Sequence, residues 1–136
     1  MKARPRLELT LTTLDKGIER LCVFLLAILF VQTVFVYLKL PQTIPTHFNA
    51  LGQPDAHGNK ISLFILLLIA TLVFIGLTTL NKYPHVLNYL TDITQENAAE
   101  QYGFATRMLR LVKLAVLLIF NALISYTYLI SAGHIS

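Results

Sequence analysis

Apolar residues fall into three long runs, at 21–38, 61–80 and 114–132. The first two contain no charge, and Gln32 is the only strongly polar residue in the first. The third is interrupted by Asn121 and Ser125. A helix of about 20 apolar residues crosses a hydrocarbon core of about 30 Å. Helices buried in soluble domains are usually shorter and apolar on one face, whereas these runs are apolar all round. The pattern predicts an all-α membrane protein with three transmembrane helices in a single domain over residues 1–136.

The segments between the runs carry finer patterns. Leu7, Leu9 and Leu11 alternate with polar residues, which reads as extended chain. From Thr13 the spacing turns helical, with Asp15 in the first turn, near the favourable end of the helix dipole. Residues 1–20 therefore read as a surface-lying lead-in. In the 81–113 segment Pro84 marks the exit from the second run, and Thr94 is a candidate N-cap with Glu96 after it. Ala98, Tyr102, Ala105, Leu109 and Val112 then recur at spacings of four and three, one apolar stripe with Glu96, Glu100, Arg107 and Arg110 off it. This predicts an amphipathic cytoplasmic helix, either lying along the interface or running into the third span. A plain solvated connecting helix is the alternative. Gly76 is a candidate point of close helix approach, with no GxxxG motif around it.

Composition agrees with a membrane class. The chain is 55% hydrophobic and 13% charged, against about 25% charged residues in soluble domains. The net charge of +4 does not point to nucleic acid, because the basic residues flank apolar runs and form no aromatic-interleaved patch. Lys2, Arg4, Arg6, Lys16 and Arg20 precede the first run, and Lys82, Arg107, Arg110 and Lys113 lie between the second and third. Only Lys39 and Lys60 flank the first loop. The positive-inside rule then puts the N-terminus in the cytoplasm and the first loop and C-terminus outside. The expected location is a bacterial cytoplasmic (inner) membrane. Tyr37, Tyr126 and Tyr128 fall near the outer interface and Tyr83 near the inner one, as an aromatic belt places them. The single cysteine, Cys22, reads as a small buried hydrophobe. The first run lacks a small-residue cleavage pattern and exceeds the usual core of a secretory leader, so no cleavage is expected.

The 39–60 loop holds the densest chemistry. Its prolines, glycines and asparagines predict a compact, turn-rich segment. Pro41 and Pro45 bias the residues before them to extended backbone, Pro54 presets φ, and Gly52 and Gly58 allow positive φ. Thr46, His47, Asn49, Asp55, His57 and Lys60 are the candidate ligand- or partner-binding residues. His47, Asp55 and His57 are candidate metal ligands, although their spacing matches no common zinc signature, so neither metal nor cofactor is expected. A purely structural reading stands beside these, in which His47, Asn49 and Asp55 bond backbone groups and fix the loop to the helix ends.

Leu40-Pro41, Ile44-Pro45-Thr46-His47-Phe48-Asn49, Gly52, Pro54-Asp55, Gly58 and Lys60 together resemble the signature of a bacterial membrane family, domain of unknown function 1648. Tyr83-Pro84-His85, Asn88-Tyr89, Ile93-Thr94, Glu96-Asn97-Ala98 and Ala105-Thr106-Arg107-Met108 are similar to short members of it. The same domain forms the N-terminal part of Sdp-type immunity proteins, which are longer, protect cells from a secreted toxin and can sequester a repressor. The resemblance implies membrane helices around a structured outer loop.

Three function classes remain open. The leading one is a non-enzymatic binding, sensing or immunity-type protein using its outward loop, with the bilayer and an unknown protein or peptide as partners. The second is a membrane-surface enzyme or metal-binding protein, with His47 as base or ligand, Asp55 orienting it and Lys60 holding an anion. The third is a small transport or channel subunit. That class is weakened by the lack of Asp, Glu, Lys or Arg inside the runs, although a homo-oligomer is compatible with it. Gln32, Asn121 and Ser125 are expected to bond across helices inside the bundle.

Overall fold

A computed structural model describes residues 4–133. The elements follow in the order α1 (Thr13–Lys39), β1 (Thr43–Phe48), β2 (Pro54–Asn59), α2 (Ser62–Leu80), a 3-10 turn at Pro84–Val86, and α3 (Ala98–Ser131). All three α-helices are long and apolar enough to cross a membrane. At 1.5 Å per residue, α3 is about 50 Å long, well beyond a core of about 30 Å. The amphipathic segment and the third apolar run are thus one continuous helix. The all-α expectation needs one correction, since the 39–60 segment folds into an antiparallel hairpin of β1 and β2.

Each helix end has a local cause. Thr12 and Asp15 form a capping box at α1, the Thr12 hydroxyl accepting from the Asp15 N–H and the carboxylate accepting from the Thr12 N–H. Pro41 follows the C-cap Leu40 and prevents continuation. The N-cap of α3 is Asn97 and not Thr94, which lies one turn earlier. Thr94 and Asn97 exchange side-chain bonds to each other's N–H groups, and the Ala98 N–H already donates to the Thr94 carbonyl.

The bundle buries one narrow seam. Leu29, Val36, Leu40, Ile44, Leu63, Leu67, Ala70 and Ile124 form the core at the hairpin end. Ile18, Cys22 and Leu117 form a smaller one toward the other end. Between them lies the polar layer expected from the sequence. The Gln32 amide donates to the Ser125 hydroxyl and the Asn121 carbonyl, and the Asn121 amide donates to the Leu25 and Leu117 carbonyls. Large apolar side chains cover the outside, among them Phe24, Val31, Leu68, Leu72, Leu118 and Ile119. Gly76 mediates no close approach, as no atom lies within 4 Å of where its Cβ would be.

The end away from the hairpin departs most from expectation. The inward face of α3 is Ala98, Tyr102, Thr106, Arg110, Lys113 and Leu117, whereas Phe104, Met108 and Val112 point outward. The predicted stripe holds at Ala98 and Tyr102, which are buried, and drifts after them: Ala105 and Leu109 are half-buried, Val112 is exposed, and Arg110, expected off the stripe, is buried. Arg107 Nε donates to Asp15 Oδ1 at 2.9 Å, and Lys113 Nζ donates to Glu19 Oε2 at 2.6 Å and to the Thr78 hydroxyl at 2.9 Å. Lys113 is fully buried and also lies 4.9 Å from the Phe74 ring centroid. Buried Lys113 and half-buried Glu19 therefore form a charged pair beside the last turns of apolar α2, each just outside its apolar run.

The N-terminal segment leads into α1 along the surface, with no residue buried from Arg4 to Thr12. It crosses this charged cluster as a strap. The Tyr102 hydroxyl donates to the Pro5 carbonyl, and Arg4 donates to the His85 and Leu87 carbonyls while lying over the Tyr89 ring. Burial pushes the Tyr89 phenol above its ordinary pKa, an effect reinforced by Tyr102 and opposed by Arg4.

Candidate functional site

The hairpin turn is built by Asn49 and Gly52. The Asn49 N–H donates to the Gln53 carbonyl, and the Gly52 N–H donates to the Asn49 carbonyl. The Asn49 side-chain oxygen accepts from the N–H groups of Leu51 and Gln53. Gly52 has φ +77°, so the connection is a three-residue loop ending in a left-handed glycine. Above it stands Tyr126 of α3, whose hydroxyl donates to the Gly52 carbonyl at 2.7 Å. A Cβ on Gly52 would lie 3.1 Å from that hydroxyl oxygen. The Phe48 ring packs edge-on against the same tyrosine, and buried Ile44 and Pro45 seat the base of the hairpin.

Two ladder irregularities aim the polar side chains. Pro45 pairs with His57, His47 with Ala56 and Phe48 with Pro54, so Thr46 and Asp55 are each skipped. Bulges of this kind rotate side chains out of strict alternation. Here they bring His47 and Asp55 to one face, with His47 Nδ1 2.5 Å from Asp55 Oδ1. Both are solvent-facing, their side chains 69% and 43% exposed. An ionised carboxylate can only accept, so the pair fixes the tautomer with the proton on Nδ1 and leaves Nε2 as an acceptor. That arrangement can orient an imidazole toward a donor, a metal or a proton.

The remaining candidates divide between surface and scaffold. Exposed His57 lies opposite Pro45, away from the His47–Asp55 register. Among the described residues no group of three His, Cys, Asp or Glu side chains is placed to hold a metal ion. Thr46 crosses Gly58, where an added Cβ would come within 3.0 Å of the Thr46 methyl, so Gly58 makes room for it. Asn49 is the turn itself. Lys60 is committed to the scaffold. Its ammonium donates at 2.9 Å to the Tyr37 and Leu40 carbonyls, which the end of α1 leaves unpaired, and lies over the Tyr37 ring. The Asn59 side chain accepts from the Ile61 N–H at the start of α2. The motif is thus a clamp between two helix ends that presents His47, Asp55 and His57 outward. Sequence reasoning had placed Tyr126 and Tyr37 only in a belt, and their roles as anchor and lid carried no local signal.

The class these features define is a three-helix bundle with a clamped β-hairpin between its first two helices. Residues 24–71, from within α1 through the hairpin into α2, match the model of a family described as a domain of unknown function, DUF1648. This is the family that the loop motif resembles, and the match covers that motif whole. The similarities noted between Tyr83 and Met108 lie outside the matched residues. An uncharacterized protein of Archaeoglobus fulgidus is 34% identical over 86 residues, covering 57% of this chain and 47% of its own. The chain therefore spans about half the length of that curated relative. No solved structure matches.

Proposed function

We propose that the protein is a multi-pass membrane protein that works by binding, sensing or immunity-type recognition through its hairpin, and not by catalysis. The N-terminus and strap lie on the cytoplasmic side, and the hairpin and C-terminus on the outer side. The distribution of Lys and Arg along the chain supports that orientation. The observation that carries the reading is the exposed His47–Asp55 pair, with His57 also exposed, on a hairpin held by Tyr126 and Lys60. A fixed scaffold with a few oriented polar groups facing solvent suits recognition of a protein or peptide. Catalysis favours groups enclosed in a water-excluding pocket.

A membrane-surface enzyme or a metal-binding protein is the second reading, favoured by the His47–Asp55 contact, which is how a base or ligand imidazole is held.

The test uses a photo-crosslinking residue at His57 in intact cells, with and without His47→Ala. Recognition gives a discrete adduct at His57 whose yield falls several-fold in the variant at unchanged protein level. Absence of any adduct, with stoichiometric zinc in the purified wild type and none in the variant, would transfer the site to the second reading.

A further inference from the structure

The charged cluster under the strap does not balance. Asp15 is taken by Arg107, and Glu19 by Lys113. Arg110, 4% exposed, shares Glu19 with Lys113, so that among these five groups three cations face two carboxylates. Its Nε lies 3.2 Å from Glu19 Oε1, yet its N–H is not aligned on that oxygen or on any other acceptor among the described residues. A buried N–H without an aligned acceptor carries a desolvation cost.

A second polar residue is stranded beside it. Asn81, just past the end of α2, has both its side-chain oxygen and nitrogen buried with no partner among the described residues. Asn81 and Arg110 line the same chamber, of about 420 Å³, with Lys82, Glu19 and Thr78 on its walls and Leu7, Leu9 and Glu8 of the strap across it. The space opens to solvent on one side and is large enough to admit a small phosphate ester. Arg110 also lines a neighbouring chamber of about 470 Å³ on the Gly103–Arg107 side of the strap.

We propose that the chamber between the strap, the end of α2 and Arg110 binds a phosphate ester that carries a free hydroxyl. The Arg110 guanidinium and the Lys82 ammonium meet the phosphoryl oxygens, and the Asn81 amide donates to them. Guanidinium groups suit this role because their donors match phosphate geometry. Glu8 and the Asn81 oxygen accept from the hydroxyl. Glu8 is exposed, lines the chamber and forms no ion pair with Arg110, so the strap contributes an acceptor without neutralising the cation. The chemistry is shared by a phosphatidylglycerol headgroup and by a soluble glycerol phosphate.

The purified full chain in neutral detergent distinguishes the two sources. Its melting temperature is followed against glycerol 3-phosphate at constant ionic strength. In parallel it is followed in nanodiscs of phosphatidylcholine with and without phosphatidylglycerol. At ten times the dissociation constant the bound state melts about 4 °C higher. A shift with the lipid alone assigns a headgroup, and a shift with the soluble ester assigns a free ligand. Arg110→Met abolishes either shift, and Asn81→Asp, which sets a like charge against the phosphate, weakens binding at least tenfold. No shift in the wild type with either probe overturns the proposal. So does an unchanged shift in Arg110→Met or, should that variant not fold, unchanged affinity in Asn81→Asp.

Discussion

The two ends of the bundle hold polar groups in opposite ways. At the hairpin end, the bonds that shape the loop join residues close in sequence, and Tyr126 anchors it from 74 positions away. Asn49 closes its own turn, His47 meets Asp55 eight positions on, and the pair stays in solvent. At the strap end, the bonds between segments join partners 35 to 97 positions apart, and Lys113 and Arg110 are buried. The first end needs only a turn and an anchor to form, and its exposed groups remain available to a partner. The second forms only once α1, α2 and α3 have assembled, so its charges lock the bundle together.

The sharpest break in that contrast is Glu19→Ala. It leaves Lys113 and Arg110 facing each other's charge with no carboxylate between them. Removing one partner of a buried ion pair costs about 3–5 kcal/mol. The loss appears as a large drop in denaturation midpoint in detergent, and a drop under about 1 kcal/mol would mean that water reaches the cluster freely.

Gly52→Val comes next and acts at the other end. It forces a β-branched residue into φ +77° and against the Tyr126 hydroxyl. The backbone alone costs about 1–3 kcal/mol. Thermal unfolding measures it, and fluorescence from a probe at His57 should show the hairpin loosening before the helices melt. A single concerted transition would show the hairpin to be part of the bundle's cooperative unit.

The helices were legible because run length and the absence of charge decide them. The hairpin was not, although its turn residues were. β2 consists of Pro, Asp, Ala, His, Gly and Asn, which strands disfavour, so it forms through the Asn49–Gly52 turn and the Tyr126 anchor instead of propensity. The stripe was right at Ala98 and Tyr102, but the burial of Arg110 and Lys113 farther along α3 was missed for a different reason. In a soluble helix the apolar stripe marks the core, but here Phe104, Met108 and Val112 face out and Arg110 and Lys113 face in. Polarity alone could not say which side was buried. His47 and Asp55 were legible as site candidates, yet their contact depends on two bulges that no spacing rule announces. Lys60 read as a free cation because the carbonyls it covers, at Tyr37 and Leu40, become orphans only where α1 ends. Arg110 and Asn81 gave no signal, since a stranded polar group is defined by what fails to surround it.

The smallest expected effect sharpens the comparison most. His47 and Asp55 are exposed, and pairs of that kind contribute about 0.2–1 kcal/mol in mutant cycles. A cycle of His47→Ala, Asp55→Ala and the double variant should therefore give a coupling below about 1 kcal/mol in thermal stability. The turn, the Tyr126 anchor and the Lys60 contacts with the end of α1 would hold the hairpin without the pair. Adduct formation at His57 should nevertheless fall in both single variants and fall no further in the double, because the carboxylate acts through the imidazole it orients. A stability coupling of 2 kcal/mol or more would reverse that division. The pair would then be a clasp like the charges under the strap, and recognition would have to rest on His57 and the turn.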